Sequence, residues 1–230
     1  IEQASTAVKL DDKNSDADNE LGICYDSLGN HTEAAAQFRR AVELDPKNAV
    51  LHGNLASALN PLEQFQEALD QAQQAIKVND KEPLFFNELG VASSGLGKTS
   101  DAEQAYRKAI ELAPSRPLYH SNLGSCLNKQ ERYEEASKAC LEALRLDDSR
   151  PTTHNILGVA YDGLLRLSDG EQQFRRAAEL DPKKALYHAN LAGNLQKQNR
   201  LSEATTEARA ARDLGMGVDS HWVFKALGIT

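Results

Sequence analysis

Apolar residues along this chain fall into short runs with three- and four-residue spacing, the mark of amphipathic helices. Between residues 83 and 116 two such runs meet at a turn. Leu89-Gly90 lies in the first run, and Ala102, Tyr106, Ala109 and Leu112 share a stripe on the second. Gly97 falls in the turn and Pro114 closes the segment. A shift of 34 residues in either direction returns the pattern, at Leu21 and Leu55 and again at Leu123, Leu157 and Leu191. Ala7, Ala41, Ala75, Ala109, Ala143, Ala177 and Ala211 keep the same step. The pattern predicts six helix–turn–helix repeats in unbroken register: 15–48, 49–82, 83–116, 117–150, 151–184 and 185–218. Pro83, Pro117 and Pro151 open three repeats, where a first helical turn tolerates proline. Pro61 falls late in a first helix and should shorten or kink it.

These residues carry a resemblance. Repeat 15–48, with Leu21-Gly22, Tyr25, Gly29, Ala34, Phe38, Ala41 and Pro46, resembles the tetratricopeptide repeat. Repeat 151–184 nearly matches it, with Gly170 in place of the usual alanine. The slot that the family fills with tryptophan holds Asp18, Phe86 or a histidine instead. The resemblance covers almost the whole chain and implies an all-α fold, a right-handed α-solenoid with a terminal helix at each end. Residues 1–14 read as the second helix of a truncated repeat, with Ala4, Ala7 and Leu10 lacking a partner helix. That bare face offers a route to self-association, and Ile1 reads as a boundary within a longer parent. Residues 219–230 read as a capping helix, with Trp222 in the family's tryptophan slot.

Composition narrows the partners. The net charge of −8 argues against binding nucleic acid by phosphate neutralisation. No apolar run approaches the length of a membrane span, and no signal peptide opens the chain. Three cysteines without a CxxC spacing fit a reducing compartment, so a cytoplasmic setting is expected unless upstream sequence carries a targeting signal.

A second periodicity runs beneath the first. Repeat 15–48 shares about 12 identities with 83–116 but about 7 with its neighbour 49–82, which points to a 68-residue pair. Within it, the even repeats place Asn54, Asn122 and Asn190 just before the core leucine, and the odd repeats place Asn19, Asn87 and Asn155 one residue earlier. At about 100° per residue from that leucine, the even asparagines lie near 260° and the odd ones near 160°. They flank a stripe of Ile23, Ser57, Val91, Ser125, Val159 and Gly193 that points away from the core. In the family this face lines the inside of the superhelix, so two rows of amides along a concave groove are expected. An amide offers a donor and an acceptor side by side, as an extended peptide backbone does. The even repeats, with YHSNLG and YHANLA, are also similar to the repeat arm of eukaryotic O-linked N-acetylglucosamine transferases, which holds peptide backbone with asparagines. That resemblance implies the role for Asn54, Asn122 and Asn190 alone. Asn60, Asn128, Lys129 and Lys197 join the candidate peptide-binding residues, with Val50, Leu84 and Leu118 as an apolar patch.

Other chemistry falls away. GLGKTS at 95–100 lacks the leading glycine of a phosphate loop and follows a helix rather than a strand. His52, His120, His154 and His188 repeat in one slot, but packed helices about 8–10 Å apart cannot bring them to one ion. No catalytic residues, metal or cofactor are expected, and the chain is not read as an enzyme. Three functions fit this pattern: a module that binds an extended peptide, a substrate-recruiting arm of a larger enzyme such as a glycosyltransferase, and a self-assembling scaffold.

Overall fold

The computed structural model describes residues 2, 4–6, 11 and 13–229, and every regular element among them is helical. The helices are α1 (Ser15–Ser27), α2 (His31–Leu44), α3 (Ala49–Leu59), α4 (Phe65–Val78), α5 (Pro83–Gly95), α6 (Thr99–Leu112) and α7 (Pro117–Lys129). They continue with α8 (Tyr133–Leu146), α9 (Pro151–Gly163), α10 (Leu167–Leu180), α11 (Ala185–Lys197), α12 (Leu201–Asp213) and α13 (Trp222–Ala226). First helices begin at 15, 49, 83, 117, 151 and 185, and second helices at 31, 65, 99, 133, 167 and 201, so both series advance by 34 residues. Residues 4–6 are also helical, but Ala7 and Leu10, on which the expected unpartnered helix rests, lie outside the described residues. The pairs gather into two compact units, Ile1–Pro114 with α1–α6 and Ser115–Thr230 with α7–α13.

Local chemistry sets the helix ends. Asn14 accepts from the N–H groups of Asp16 and Ala17, Asn48 caps α3 through Val50, and prolines fill the first turn of α5, α7 and α9. α3 stops at Leu59 after 11 residues, where the other first helices run to 13. Pro61 has no N–H for the carbonyl of Ser57, so the helix ends before it. Every pair then turns through one left-handed residue, Gly29, Glu63, Gly97, Glu131, Leu165 or Asn199, with φ between 58° and 77°. The next N–H closes the helix by bonding back, as Asn30 does to the Tyr25 carbonyl and Arg166 to that of Tyr161. Two of the six turns have the glycine this backbone prefers.

Small residues bring the paired helices together. Ala41, Ala75, Ala109, Ala143, Ala177 and Ala211 are all fully buried. A Cβ at Gly22, Gly90 or Gly158 would stand 2.5–2.6 Å from a ring carbon of Phe38, Tyr106 or Phe174 on the second helix. The same two slots hold Ala56 with Ala72 and Ala192 with Ala208, all fully buried. A ring on one helix thus goes with glycine on the other, and alanine goes with alanine. At the end of the second unit, Val223 and Phe224 of α13 are fully buried against Ala189, Ala192, Ala208 and Ala211.

Two substitutions test these contacts. Gly158→Ala should lower stability to urea by about 1–3 kcal/mol, because the Phe174 ring cannot yield without moving its helix. Leu165→Gly should raise it by a few tenths to about 1 kcal/mol, since relief of the left-handed backbone outweighs the extra chain entropy. A Gly158→Ala chain that unfolds at the wild-type midpoint would show that the ring does not set the helix separation.

Candidate functional site

Leu55 and Leu191 are buried in the core, so the residue before each is turned to the side of its helix that meets the preceding first helix. In the first unit, Asn54 Nδ2 on α3 donates to Asn19 Oδ1 on α1 at 2.8 Å. In the second, Asn190 Nδ2 on α11 donates to Asn155 Oδ1 on α9 at 2.7 Å. The two expected rows therefore do not stand apart on opposite sides of a groove. The angular offset that separates them on one helix makes them face each other across neighbouring helices, and they join as rungs. Asn54 and Asn190 stay half-buried on these rungs, whereas Asn87 and Asn155 are 2% and 7% exposed. Burial of Asn87 and Asn155 corrects the expectation that the odd row lies open. Asn122 is half-buried on α7 and already bonded.

Asn60 and Asn128 also change role. Each donates Nδ2 to a backbone carbonyl of the next first helix, Asn60 to Glu88 at 3.2 Å and Asn128 to Ile156 at 2.9 Å. Asn60 is buried, and the Oδ1 atoms of both lie buried without a hydrogen-bond partner in the structure. They bracket adjacent repeats, Asn60 from a buried position and Asn128 from a partly exposed one. Lys197 Nζ pairs with Asp162 Oδ2 at 2.8 Å, so its charge is partly engaged, while Lys129 is exposed at the end of α7. Asn194 is fully buried and donates to Asp162 Oδ1 and to the Leu167 carbonyl. It lies with Asp162 beside Gly170, where a Cβ would stand 2.7 Å from Asp162 Oδ1 and 3.0 Å from Asn194 Nδ2, which accounts for the missing alanine in that repeat.

Glu88 is the residue that periodicity could have flagged, because it stands in the slot of Asn54 and Asn122 one repeat away. It is 7% exposed, and its carboxylate accepts from Asn60 Nδ2 at 2.7 Å and Asn87 Nδ2 at 3.0 Å. Burial pushes its carboxyl above the usual carboxylate range, with the nearby Asp26 charge adding to the rise, while the amides of Asn60 and Asn87 oppose it. The first helices of this unit carry Asp16, Asp18, Glu20, Asp26 and Glu88 and no lysine or arginine. Residues 1–114 hold 19 acidic against 10 basic side chains, and residues 115–230 hold 15 against 16. The whole acidic excess therefore belongs to the first unit.

The repeated histidines are clasps. His52, His154 and His188 each reach the loop before their helix, at the carbonyls of Pro46, Asp148 and Pro182, and a Gln or Glu on the second helix. No group of three or more metal-ligating side chains occurs among the described residues. Cys126 and Cys140 are buried, and desolvation pushes the Cys140 thiol up to about 12. Second-helix charges pair with one another, as Arg39 does with Glu67 at 2.8 Å. Among the described residues no helix is long and apolar enough to cross a membrane.

In the second unit a cleft of roughly 260 Å³ opens beside the Asn190 rung, bounded by Tyr133, Val159, Asp162, Lys197, His221 and Trp222. His221 and Trp222 were placed by sequence only in a capping helix, and nothing in the repeat register tied them to Asn190.

Residues 1–49, 54–117 and 88–151 match the sequence model of the tetratricopeptide repeat. No curated protein sequence matches the chain. Among solved structures, a chain of the APC/C hetero-tetramer Cut9–Hcn1 is similar over 97% of this chain, with a TM-score of 0.86 and 17% identity. The match takes in 44% of that chain, so this chain spans less than half its length. Pseudomonas aeruginosa pilF is similar over 92% of this chain and 96% of its own, with a TM-score of 0.74 and 20% identity. YrrB, a TPR protein with an unusual peptide-binding site, is similar over 80% of this chain and 95% of its own, with a TM-score of 0.58 and 18% identity.

The Glu88 environment sets a pH dependence. A carboxyl whose folded pKa is raised contributes most below its unfolded value of 4.5, and that contribution is lost as pH rises through the folded value. Glu88→Gln should therefore remove part of the decline in stability between mildly acidic and neutral pH. Urea unfolding at a series of pH values checks it, and identical pH profiles for the two proteins would refute the assignment.

Proposed function

The chain belongs to the tetratricopeptide-repeat family, a family of protein-interaction modules, and we propose that it holds an extended segment of a protein partner along its first helices. The repeats of residues 15–218 form the binding array in this reading, and residues 219–230 cover its end. The observation that carries it is the Asn54–Asn19 rung. Its hydrogen bond fixes the Asn54 amide before any partner arrives, so less side-chain entropy is lost on binding. Among the described residues nothing donates to Asn54 Oδ1, which leaves that acceptor for a partner's backbone N–H. Asn122 and Asn190 hold the same slot in later repeats. A peptide-binding site on YrrB, a protein of this fold, accords with the reading.

Contacts of this kind read backbone, so side-chain preference comes from what flanks them. On the first unit the flank is acidic, and a segment with lysine or arginine is favoured there, with an affinity that falls as salt rises. Val50 and Leu84 add an apolar edge, and in the second unit Leu118 and Lys129 do so with a cation. A partner ending in acidic residues meets no cation at Asn19, Ile23, Asn54, Leu84 or Glu88 and should not bind the first unit. The recruiting-arm and scaffold readings use the same fold, but neither is favoured by a feature of the rungs.

Binding of a random nonapeptide pool, followed by sequencing of the retained peptides, tests the proposal. Replacing Asn54, Asn122 and Asn190 together by alanine should weaken retained peptides by about 0.5–1.5 kcal/mol for each partner bond lost. Because Asn54 and Asn190 also hold their own rungs, some stability to urea should go with them, while helical circular dichroism stays unchanged. Binding that survives the triple substitution would move the function away from the asparagines.

A further inference from the structure

Asn54 and Asn190 occupy one slot four repeats apart, and each donates Nδ2 to the asparagine one first helix back. Their acceptor atoms differ. Asn190 Oδ1 lies 3.1 Å from His221 Nε2, in the segment between α12 and α13, whereas Asn54 Oδ1 receives no bond from the described residues. His221 Nδ1 accepts the N–H of Val223 at the start of α13, at 3.4 Å, so Nε2 is the nitrogen that carries the proton and donates to Asn190. Trp222 follows at once and lies over Gly193, where a Cβ would stand 2.8 Å from its ring. Gly193 is the outward-stripe position that other repeats fill with Ile23, Ser57, Val91, Ser125 or Val159. Two consecutive residues of the segment therefore cover Asn190 and Gly193, one helical turn apart on α11.

We propose that this segment is a built-in occupant of the last rung, with the His221 N–H standing where a partner's backbone N–H would donate, and that a partner reaches Asn190 only when the segment lifts. This rests on the peptide-binding reading above. The attachment is graded along the segment. Val223 and Phe224 are fully buried and anchor α13, whereas Trp222 is 50% exposed and touches the surface on one side. His221 and Trp222 lift by opening the first turn of α13, where the Phe224 N–H bonds the His221 carbonyl at 3.3 Å, while the turn before them holds one short backbone bond among the described residues, from the Ser220 N–H to the Gly217 carbonyl at 2.9 Å.

The contact is also poised to respond to protons. A proton added to His221 goes to Nδ1, where it opposes the Val223 N–H. Burial lowers the proton affinity of His221 below its usual 6.5. The docked segment thus binds fewer protons than the lifted one, so docking is full above about 6.5 and weakens as pH falls through the docked value. The other charged or titratable groups at the cleft are Asp162 with Lys197 and the Tyr133 hydroxyl, with Asp219 and Lys225 on the segment itself. Asp162 is bonded by Lys197 and Asn194.

Trp222 is the single tryptophan of the chain, so its emission reports the segment alone. In the whole chain, acrylamide quenching of Trp222 should rise at least twofold between pH 8 and pH 5, and the side-chain amide signals of Asn190 should shift over the same range. His221→Ala should show the lifted values at every pH; it also removes the side-chain cap on the Val223 N–H, so the unfolding midpoint should fall by a few degrees at most, because Val223 and Phe224 stay buried. Against the random nonapeptide pool, His221→Ala should gain at least threefold in retention, and adding Asn190→Ala should cancel that gain. Quenching and amide signals that ignore both pH and His221→Ala would overturn the proposal. So would a segment that lifts without any gain in retention while Asn54→Ala still weakens binding, since the peptide-binding reading would then stand alone. If Asn54→Ala and His221→Ala both leave retention unchanged, the peptide-binding reading itself fails and takes the occupancy with it.

Discussion

The structure depends on how closely two helices of a pair can approach. Fully buried alanines and glycines at fixed steps leave room for a backbone to pass, and a ring or another alanine fills what remains. Interiors packed this tightly transmit any change in side-chain volume to the backbone. The contact therefore fixes the rotation of each first helix about its own axis. Once Leu55 or Leu191 is turned inward, the residue before it has one direction left. That direction is toward the preceding first helix, and an asparagine placed there meets an asparagine coming the other way.

Side chains with the same amide do three different jobs along the chain. Asn54 and Asn190 sit half-open on the rungs, Asn19 and Asn155 accept from them, and Asn60 and Asn128 tie one repeat to the backbone of the next. Glu88 replaces an asparagine at a rung position and turns that site from a neutral amide into a desolvated carboxylate held by two amide donors. Histidine shows the same economy, clasping a loop in His52, His154 and His188, while His221 bonds a rung. Chemistry alone does not assign these roles, since each follows from the helix face on which a residue falls.

Charge divides the chain more sharply than its net value suggests. The second unit is close to neutral, with Arg145, Arg175 and Arg200 paired to carboxylates of the second helices, whereas the first helices of the first unit carry acids and no lysine or arginine. A surface of one sign steers encounter and sorts partners more than it adds affinity. In the peptide-binding reading proposed above, amides that read backbone supply little selectivity by themselves, so the acidic flank is where discrimination between partners is expected to arise.

The 34-residue step, the helix pairing, the short α3 before Pro61 and the family were legible from the sequence, because periodicity, turn residues and proline act over a few neighbouring positions. The two asparagine rows were legible too, as angles on isolated helices. Three features required the tertiary structure: that the rows join across helices, that Asn60 and Asn128 turn inward to brackets, and that His221 and Trp222 fold back onto Asn190 and Gly193. Each is a contact between residues about 28 to 35 positions apart or outside the repeat register, settled by where one helix places another. A periodic sequence determines which face a residue takes on its own helix, and the packing of neighbouring helices decides what that face meets.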